Sequence, residues 1–140
     1  MNASYILLRG LRRCHANADV EIPDRMKDGY GINEHLIRYA YEEGVDTILT
    51  CDNGIAAVEQ TKLAKSLGMT ILITDHHEVQ EEVPPADAVV NPRQADCPYP
   101  FKHLCGAAVA YKVICCLYEA YGIPKEELSL IHISEPTRLG

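Results

Sequence analysis

The stretch "MTILITDHHE", residues 69–78, decides the fold, because a largely apolar run ends abruptly in an aspartate and two histidines. An apolar run of this length is typical of a strand buried on both faces of a parallel sheet. A carboxylate at the end of a buried strand is costly unless it is paired or bound to a metal ion. We therefore expect a buried strand over 69–74 that delivers Asp75, His76 and His77 to a functional site.

The same pattern occurs one strand earlier, in "VDTILTCDNG", residues 45–54. A helical segment over residues 55–68 separates the two runs, which predicts a β-α-β unit with parallel strands. The carboxyl ends of parallel strands share one edge of the sheet, where such folds bind ligands. Neighbouring strands lie about 4.8 Å apart, and the ions of a two-metal site about 3.5 to 4 Å apart. Asp52 is therefore expected to share a metal cluster with Asp75, His76 and His77.

The ligand types in this cluster indicate which metal it binds. Carboxylate oxygens and imidazole nitrogens with no thiolate nearby favour Mn²⁺ or Mg²⁺ over a structural zinc ion. A two-metal site of this kind activates water for attack on a phosphate ester. Each motif also has a plainer interpretation. "DHH" could cap a helix and add two surface histidines, and "DNG" could be a simple turn, since Asn and Gly tolerate a positive φ. In the functional interpretation Gly54 also opens the following helix, whose N-terminus attracts anions.

The remaining segments alternate between helices and strands. This alternation predicts an α/β fold with a parallel sheet and helices on both faces. The expected buried face of the last helix contains Val109, Val113, Cys116, Leu117 and Ala120. The additional predicted elements are a helix over 2–16, a strand over 18–23, a helix over 33–44 capped by Asn33, a strand over 86–92 and a helix over 107–122.

Composition limits the class of protein. With 140 residues, of which 47% are hydrophobic, the chain is one domain or part of one. The net charge of −7 gives no general attraction to nucleic acid or membrane, so a phosphate-bearing substrate needs metal ions. Six cysteines without a C-x-x-C pair suit reduced thiols. No run approaches the roughly 20 apolar residues of a membrane span, so we expect a soluble, cytoplasmic protein.

Two further segments are candidates for substrate contact. "RMKDGYG", residues 25–31, is either a flexible surface loop or a loop in which Arg25 and Lys27, among glycines, hold a phosphodiester backbone. Gly106 lies at a predicted helix start, which suits either close packing or a backbone site for phosphate. His103 in the same segment is either a ligand or an ordinary loop residue, and we expect the latter because no partner is evident.

Together, five motifs resemble the RecJ branch of the DHH phosphoesterase family, over residues 5–127. The resemblance implies a metal-dependent, single-strand-specific 5′ to 3′ DNA exonuclease of DNA repair and recombination. It also implies a single-strand-binding protein and a helicase as partners. The motifs are "IPDRMKDGYGIN", "TCDNGI", "ITDHHE", "VVNPR" and "YPFKHLCGAAVAYK".

The resemblance also implies roles for individual residues. Asp52 resembles the carboxylate that bridges two metal ions, and His76 resembles a metal ligand with Asp75 as its partner within the site. His77 resembles a metal or scissile-phosphate contact. The remaining positions match segments that handle substrate, namely Arg25, Gly29, Tyr30, Gly31, Asn91 and Gly106.

The chain departs from the family pattern at both ends. The family's first strand, which carries an Asp-x-Asp pair, is expected before residue 1, and a further metal-binding aspartate is expected after residue 127. "LSLIHISEPTR", residues 128–138, resembles a translated sequencing adapter. We therefore assign residues 1–127 to a partial DHH domain lacking its first strand and C-terminal part, and residues 128–140 to a non-native tail. The fragment alone is expected to be inactive.

Two other functions are compatible with the motifs. One is a DHH phosphodiesterase that acts on short oligonucleotides or cyclic dinucleotides. The other is a catalytically dead DHH-like module that serves interaction within a replication complex. Such a module is expected to lose its ligands, whereas Asp52, Asp75, His76 and His77 are all present, which favours an enzyme.

Overall fold

The computed structural model describes residues 2–21, 32–124 and 126–127. The chain divides into two compact units, one formed by residues 1–21 and 105–140 and the other by residues 22–104. Among the described residues, the first contains two helices, and the second contains a sheet with two helices. In chain order the elements are α1 (Asn2–Arg13), α2 (Glu34–Glu42), β1 (Thr47–Cys51), α3 (Val58–Ser66), β2 (Thr70–Thr74), β3 (Ala88–Val90) and α4 (Gly106–Tyr121).

The sheet is parallel throughout, in the order β1-β2-β3. The predicted α/β fold with a parallel sheet is thus confirmed, as are the strands expected over 45–51, 69–74 and 86–92. Strand β2 lies in the centre, and Ile71 and Ile73 on it are almost completely buried. These two side chains share one face of the sheet, and on the other face Leu72 is half-buried and Thr74 is buried. Both faces of the strand are thus largely covered, which explains why this run is nearly all apolar.

Helices α2 and α3 supply the core of the sheet unit. Ile37 of α2 and Ala64 of α3 pack with Met69 and Ile71 in one buried cluster. Helix α2 begins where predicted, because the side chain of Asn33 accepts a hydrogen bond from the Leu36 backbone N–H at 2.9 Å. That bond satisfies one of the backbone donors left free at a helix start.

The helix predicted to start at residue 55 begins three residues later, at Val58. Residues 55–57 instead form a turn, in which the Ala57 backbone N–H donates to the Gly54 carbonyl at 2.9 Å. The Ile55 backbone N–H donates to the Asp75 carboxylate at 3.1 Å. This hydrogen bond joins residues 20 positions apart in the sequence and competes with the first turn of the helix. A prediction from local sequence cannot include such a contact.

Helices α1 and α4 pack against each other in the helical unit. The contact is close at Gly10 of α1, where a β-carbon would overlap the side chain of Ile114. The buried face predicted for α4 is partly wrong, since Cys116 and Ala120 are exposed. Helix α4 is apolar on most sides, so its partner helix rather than the sequence period selects the buried face. The buried residues are Val109, Ala110, Ile114 and Tyr118.

The segment after α1 contains no strand where the structure describes it. Residues 18–21 are irregular, so the strand expected over 18–23 is wrong for its first four positions. The rest of that strand lies outside the described residues, as do Arg25, Gly29, Tyr30 and Gly31. Among the helices that the structure describes, none has the length and apolar character needed to cross a membrane.

Candidate metal centre

The candidate site lies where β1 and β2 end side by side. Cys51 pairs with Thr74 in the parallel register, so the next residues, Asp52 and Asp75, follow at the same edge of the sheet. The Asp52 backbone N–H donates to the Thr74 carbonyl at 3.0 Å, which extends the strand pairing by one residue. Potential ligand atoms of Asp52, Asp75, His76 and His77 all lie within 4.8 Å of one another. The structure therefore brings together the four residues that the sequence analysis grouped.

Asp75 is the buried member of this group, with only 1% of its surface exposed. Its Oδ2 accepts from the Ile55 backbone N–H at 3.1 Å. Its Oδ1 accepts from the backbone N–H groups of His76 and His77, at 2.8 and 3.2 Å, and contacts His77 Nδ1 at 2.6 Å. A carboxylate has about four lone-pair positions, so these contacts use most of its capacity. The geometry suits a residue that positions its neighbours.

These contacts also settle how "DHH" folds locally. The helix-cap interpretation is wrong, because residues 75–87, all of them described, contain no helix. Asp75 accepts hydrogen bonds from the next two backbone N–H groups, which closes a tight turn after β2. This turn replaces the capped helix and holds both imidazole rings beside the end of β1.

Asp52 is an exposed member, with 53% of its side chain accessible, as is His77 with 54%. Its backbone has a positive φ of 62°, an uncommon conformation that aspartate tolerates better than most residues. Gly54 follows with a φ of 105°, and the Thr50 hydroxyl donates to the Asn53 carbonyl at 2.8 Å. "DNG" is thus a turn, as its plainer interpretation held, and this turn also presents a carboxylate to the cluster.

The two histidines face different carboxylates. His76 Nε2 lies 2.5 Å from Asp52 Oδ1. Because a carboxylate only accepts, His77 Nδ1 donates to Asp75, which leaves the lone pair of His77 Nε2 for another partner. A histidine that ligates a metal commonly has its other nitrogen fixed by a carboxylate in this way. The ring centroids of His76 and His77 lie 4.5 Å apart.

The donor set fits a divalent cation that prefers oxygen and imidazole ligands. The cluster, as far as the described residues show, contains carboxylates and imidazoles and no thiolate. This composition favours Mn²⁺ or Mg²⁺. In addition, the buried Asn53 Oδ1, one residue after Asp52, has no hydrogen-bond partner within the described part of the chain. A buried acceptor without a donor is rare, and here it lies in the turn that carries the exposed carboxylate.

Asn91, Gly106 and His103, which the sequence analysis also considered, lie outside the cluster of four possible ligands. Asn91 is only 2% exposed, and its Nδ2 donates to the His77 carbonyl at 3.0 Å. It therefore supports the turn that carries the histidines, and its contact with substrate stays a prediction. Gly106 is the first residue of α4, in the helical unit. His103 lies in a loop as expected, but it does have a partner, because Arg93 Nη2 contacts its Nδ1 at 3.1 Å.

Comparisons with known proteins show which family the chain belongs to. The chain is 46% identical over 113 residues to the single-stranded-DNA-specific exonuclease RecJ of Bacillus subtilis (strain 168), which covers 81% of this chain and 14% of that protein. It is 37% identical over 102 residues to the protein of the same name from Escherichia coli (strain K12), which covers 73% of this chain and 18% of that protein. The chain thus spans less than a fifth of the length of these two curated relatives.

Structural comparison gives the same relationship. A crystal structure of exonuclease RecJ bound to manganese superposes with a TM-score of 0.77 at 32% identity, covering 88% of this chain and 31% of that one. The pattern of the DHH family, N-terminal domain, matches residues 1–134. That match includes Asp52 and the three residues Asp75, His76 and His77. The chain therefore belongs to the DHH family.

Proposed function

We propose that this chain supplies metal ligands to an active site that hydrolyses phosphodiester bonds of single-stranded DNA. The observation that carries the proposal is the meeting of Asp52 and His76, whose ligand atoms lie 2.5 Å apart at neighbouring strand ends. Both side chains are partly exposed, and their carboxylate oxygen and imidazole nitrogen meet at hydrogen-bond distance, so a cation bound between them would replace that hydrogen bond with two ligand bonds. The names of the Bacillus subtilis and Escherichia coli relatives support the substrate and the reaction.

The residues of the cluster have separable roles in this proposal. A bound Mn²⁺ or Mg²⁺ supplies an activated water and neutralises charge on the phosphate. Asp52 and His76 hold the cation from the ends of β1 and β2. His77 presents Nε2 to the cation or to a phosphate oxygen, because Asp75 fixes its other nitrogen. Asp75, although grouped with the ligands, acts chiefly by orienting both histidines through its hydrogen bonds.

The finer assignments are also proposals. We propose 5′ to 3′ exonucleolytic cleavage in DNA repair and recombination, in the cytoplasm, with a single-strand-binding protein and a helicase as partners. Arg25, Gly29, Tyr30 and Gly31 are proposed to contact the strand, together with Asn91 and Gly106. The motifs that resemble the RecJ branch support these assignments.

The test transfers this sequence into the relative with which it shares 46% identity. The matched segment of the Bacillus subtilis protein is replaced by the corresponding residues of this chain, and release of mononucleotides from 5′-labelled single-stranded DNA is measured with Mn²⁺. We expect cleavage of long single strands, reduced at least about 100-fold by Asp52→Asn or His76→Ala. Arg38→Gln, an exposed residue of α2 paired with Glu34, is the matched control and should retain activity.

Other outcomes distinguish the alternatives. Cleavage of dinucleotides but not of long strands would assign the site to the oligonucleotide phosphodiesterases. A folded chimaera that binds Mn²⁺ and cleaves neither substrate would refute the proposal and favour an interaction module. Binding of Mn²⁺ is followed independently by electron paramagnetic resonance, both in the chimaera and in the 140-residue chain.

A further inference from the structure

A second polar cluster lies beside the turn that carries the histidines. It surrounds an open cavity of about 330 Å³, a depression in the surface of the sheet unit that is broadly exposed to solvent. Arg93, Lys102 and His103 gather there, although the whole chain has a net charge of −7. The residues that line the cavity are Glu78, Arg93, Gln94, Ala95, Lys102 and His103.

The cavity is physically tied to the metal cluster. Glu78, which lines it, follows His77 directly in the chain. The buried side chain of Asn91 connects the two loops, because its Nδ2 donates to the His77 carbonyl at 3.0 Å while its Oδ1 accepts from the Arg93 backbone N–H at 2.9 Å. The side chain of Asn91 therefore links the backbone of Arg93 to the backbone of His77 through two hydrogen bonds. A strand bound in this cavity lies next to the candidate metal ligands.

The two cations in the cavity lack the carboxylate partners that other basic residues have. Among the described residues, neither Arg93 nor Lys102 forms an ion pair, even though Glu78 lines the same cavity. Lys102 Nζ donates to the Cys97 carbonyl at 2.6 Å, which leaves two of its three hydrogens for other acceptors. Basic residues elsewhere that do pair with carboxylates are Arg12, Arg13, Arg38, Lys62 and Lys65.

An exposed aromatic ring adjoins these cations. Phe101, the one phenylalanine of the sequence, is 55% exposed. Its ring meets the ring of His103 edge-on, with centroids 6.1 Å apart and planes inclined by 73°. Because a guanidinium only donates, His103 Nδ1 accepts from Arg93, and the ring proton of a neutral His103 lies on Nε2. His103 thus contacts Arg93 on one side and the exposed ring of Phe101 on the other.

We propose that this cavity is a binding subsite for single-stranded DNA, in which Arg93 and Lys102 contact a phosphodiester group and Phe101 stacks on the adjacent base. A groove that combines cations with an exposed aromatic ring is the usual means of binding single strands. Duplex DNA hides its base faces, so the ring favours an unpaired strand. The inference rests on the proposed function for the class of ligand, and it adds the place where the strand lies.

The first experiment tests the phosphate contact. Binding of a fluorescein-labelled thymidine oligonucleotide to the full 140-residue chain is measured by anisotropy in EDTA, over a range of salt concentrations. We expect Arg93→Gln to weaken binding at least about fivefold and to reduce the salt slope by about 0.7, the value for one lost contact to a single strand. The matched control, Arg38→Gln, removes the same charge from an exposed ion pair and should change neither quantity.

The second experiment tests the stacking contact. We expect Phe101→Leu to weaken binding at least about fivefold, since base stacking on an aromatic ring requires a flat face. Phe101→Tyr should retain affinity. An abasic strand of equal length should lose the dependence on Phe101 but keep the dependence on Arg93. Equal effects of Phe101→Leu on the normal and the abasic strand would contradict a base contact.

The outcomes separate this inference from the proposed function. Unchanged affinity and salt slope in Arg93→Gln and Phe101→Leu, or no strand binding by the wild-type chain, would overturn the subsite even if the chimaera cleaves DNA. Loss of binding in these variants supports the subsite even if the chimaera is inactive. Circular dichroism checks that each variant is folded, and electron paramagnetic resonance checks that Mn²⁺ binding is unaltered.

Discussion

The ends of β1 and β2 carry aspartates at equivalent positions, yet the two residues differ in almost every physical respect. Asp52 is half exposed, has a positive φ and meets a single imidazole. Asp75 is 1% exposed and accepts hydrogen bonds from three backbone N–H groups. An exposed carboxylate can exchange its partner for a cation at little cost, whereas a buried and saturated one cannot. Position in a motif therefore does not determine the environment of an aspartate, and in the proposed function this difference makes Asp52 a metal ligand and Asp75 a residue that orients ligands.

The largest expected effect follows from replacing Asp75. Asp75→Ala leaves the backbone N–H groups of Ile55, His76 and His77 without their acceptor, at about 1–3 kcal/mol for each buried donor. We expect the free energy of unfolding to fall by roughly 3 kcal/mol or more, measured by urea denaturation. Asp52→Ala, at the equivalent position of β1, should lower it by less than about 1 kcal/mol. Similar losses in both variants would remove the distinction between the two strand ends.

Replacing Asp52 should affect the metal and leave the fold intact. Asparagine tolerates a positive φ as well as aspartate does, so Asp52→Asn should change the free energy of unfolding by no more than about 0.5 kcal/mol. Its affinity for Mn²⁺ should fall at least about tenfold, because a charged ligand is lost. Isothermal titration calorimetry of the 140-residue chain measures this affinity. Retained affinity would mean that Asp52 is not a ligand.

The turn that presents Asp52 depends on Gly54, and an alanine there tests how far that turn controls the site. Gly54 has a φ of 105°, and an added β-carbon would lie 3.0 Å from Thr50 Oγ1. We expect Gly54→Ala to lower the free energy of unfolding by about 1–2 kcal/mol through strain and to weaken Mn²⁺ binding. Gly68→Ala is the matched control, since Gly68 also has a positive φ but its added β-carbon would meet no atom within 4 Å.

The comparison of these two glycines separates strain from steric contact. Gly68→Ala should be destabilised by strain alone and should bind Mn²⁺ as the wild type does. If both variants bind Mn²⁺ normally, the shape of the turn after β1 does not control the position of Asp52. Thermal unfolding followed by circular dichroism supplies the stability of each variant.

The sequence predicted that the ends of β1 and β2 lie side by side, because this arrangement follows from local sequence patterns and from the topology of parallel strands. Two apolar runs separated by a helical segment imply parallel strands, and parallel strands end at one edge. The different burial and hydrogen bonding of Asp52 and Asp75 do not follow from these rules. Burial of Asp75 depends on the Ile55 backbone N–H, which a turn rather than a helix brings into reach. The contact of Arg93 with His103 likewise joins two positions whose spacing follows no secondary-structure period.

The smallest expected effect concerns a carboxylate at the opposite end of the sheet. Asp87 directly precedes β3, and its carboxylate accepts from Lys65 Nζ at 2.6 Å and from the Ile71 backbone N–H at 2.8 Å. The hydrogen bond from Lys65 is the main cause that lowers the pKa of Asp87 below its ordinary value, and the bond from Ile71 adds to it. A group whose pKa is lowered by folding stabilises the folded state above its unfolded pKa. That contribution disappears as the pH falls through the lower, folded pKa.

Asp87→Asn should therefore lower the melting temperature slightly at pH 7, and the difference from the wild type should shrink in acid as Asp87 is protonated. Melting curves between pH 7 and about pH 3 test this, since the unfolded pKa of aspartate is about 3.9. Asp46→Asn, which removes an exposed carboxylate near the start of β1 that accepts from the Thr47 hydroxyl, is the control. A constant difference at all pH values would show that Asp87 stabilises the sheet by its shape rather than its charge. Asp87 at one end of the sheet would then resemble Asp75 at the other, because both would act by orienting backbone groups. Of the three carboxylates Asp52, Asp75 and Asp87, only Asp52 would then act through a bound cation.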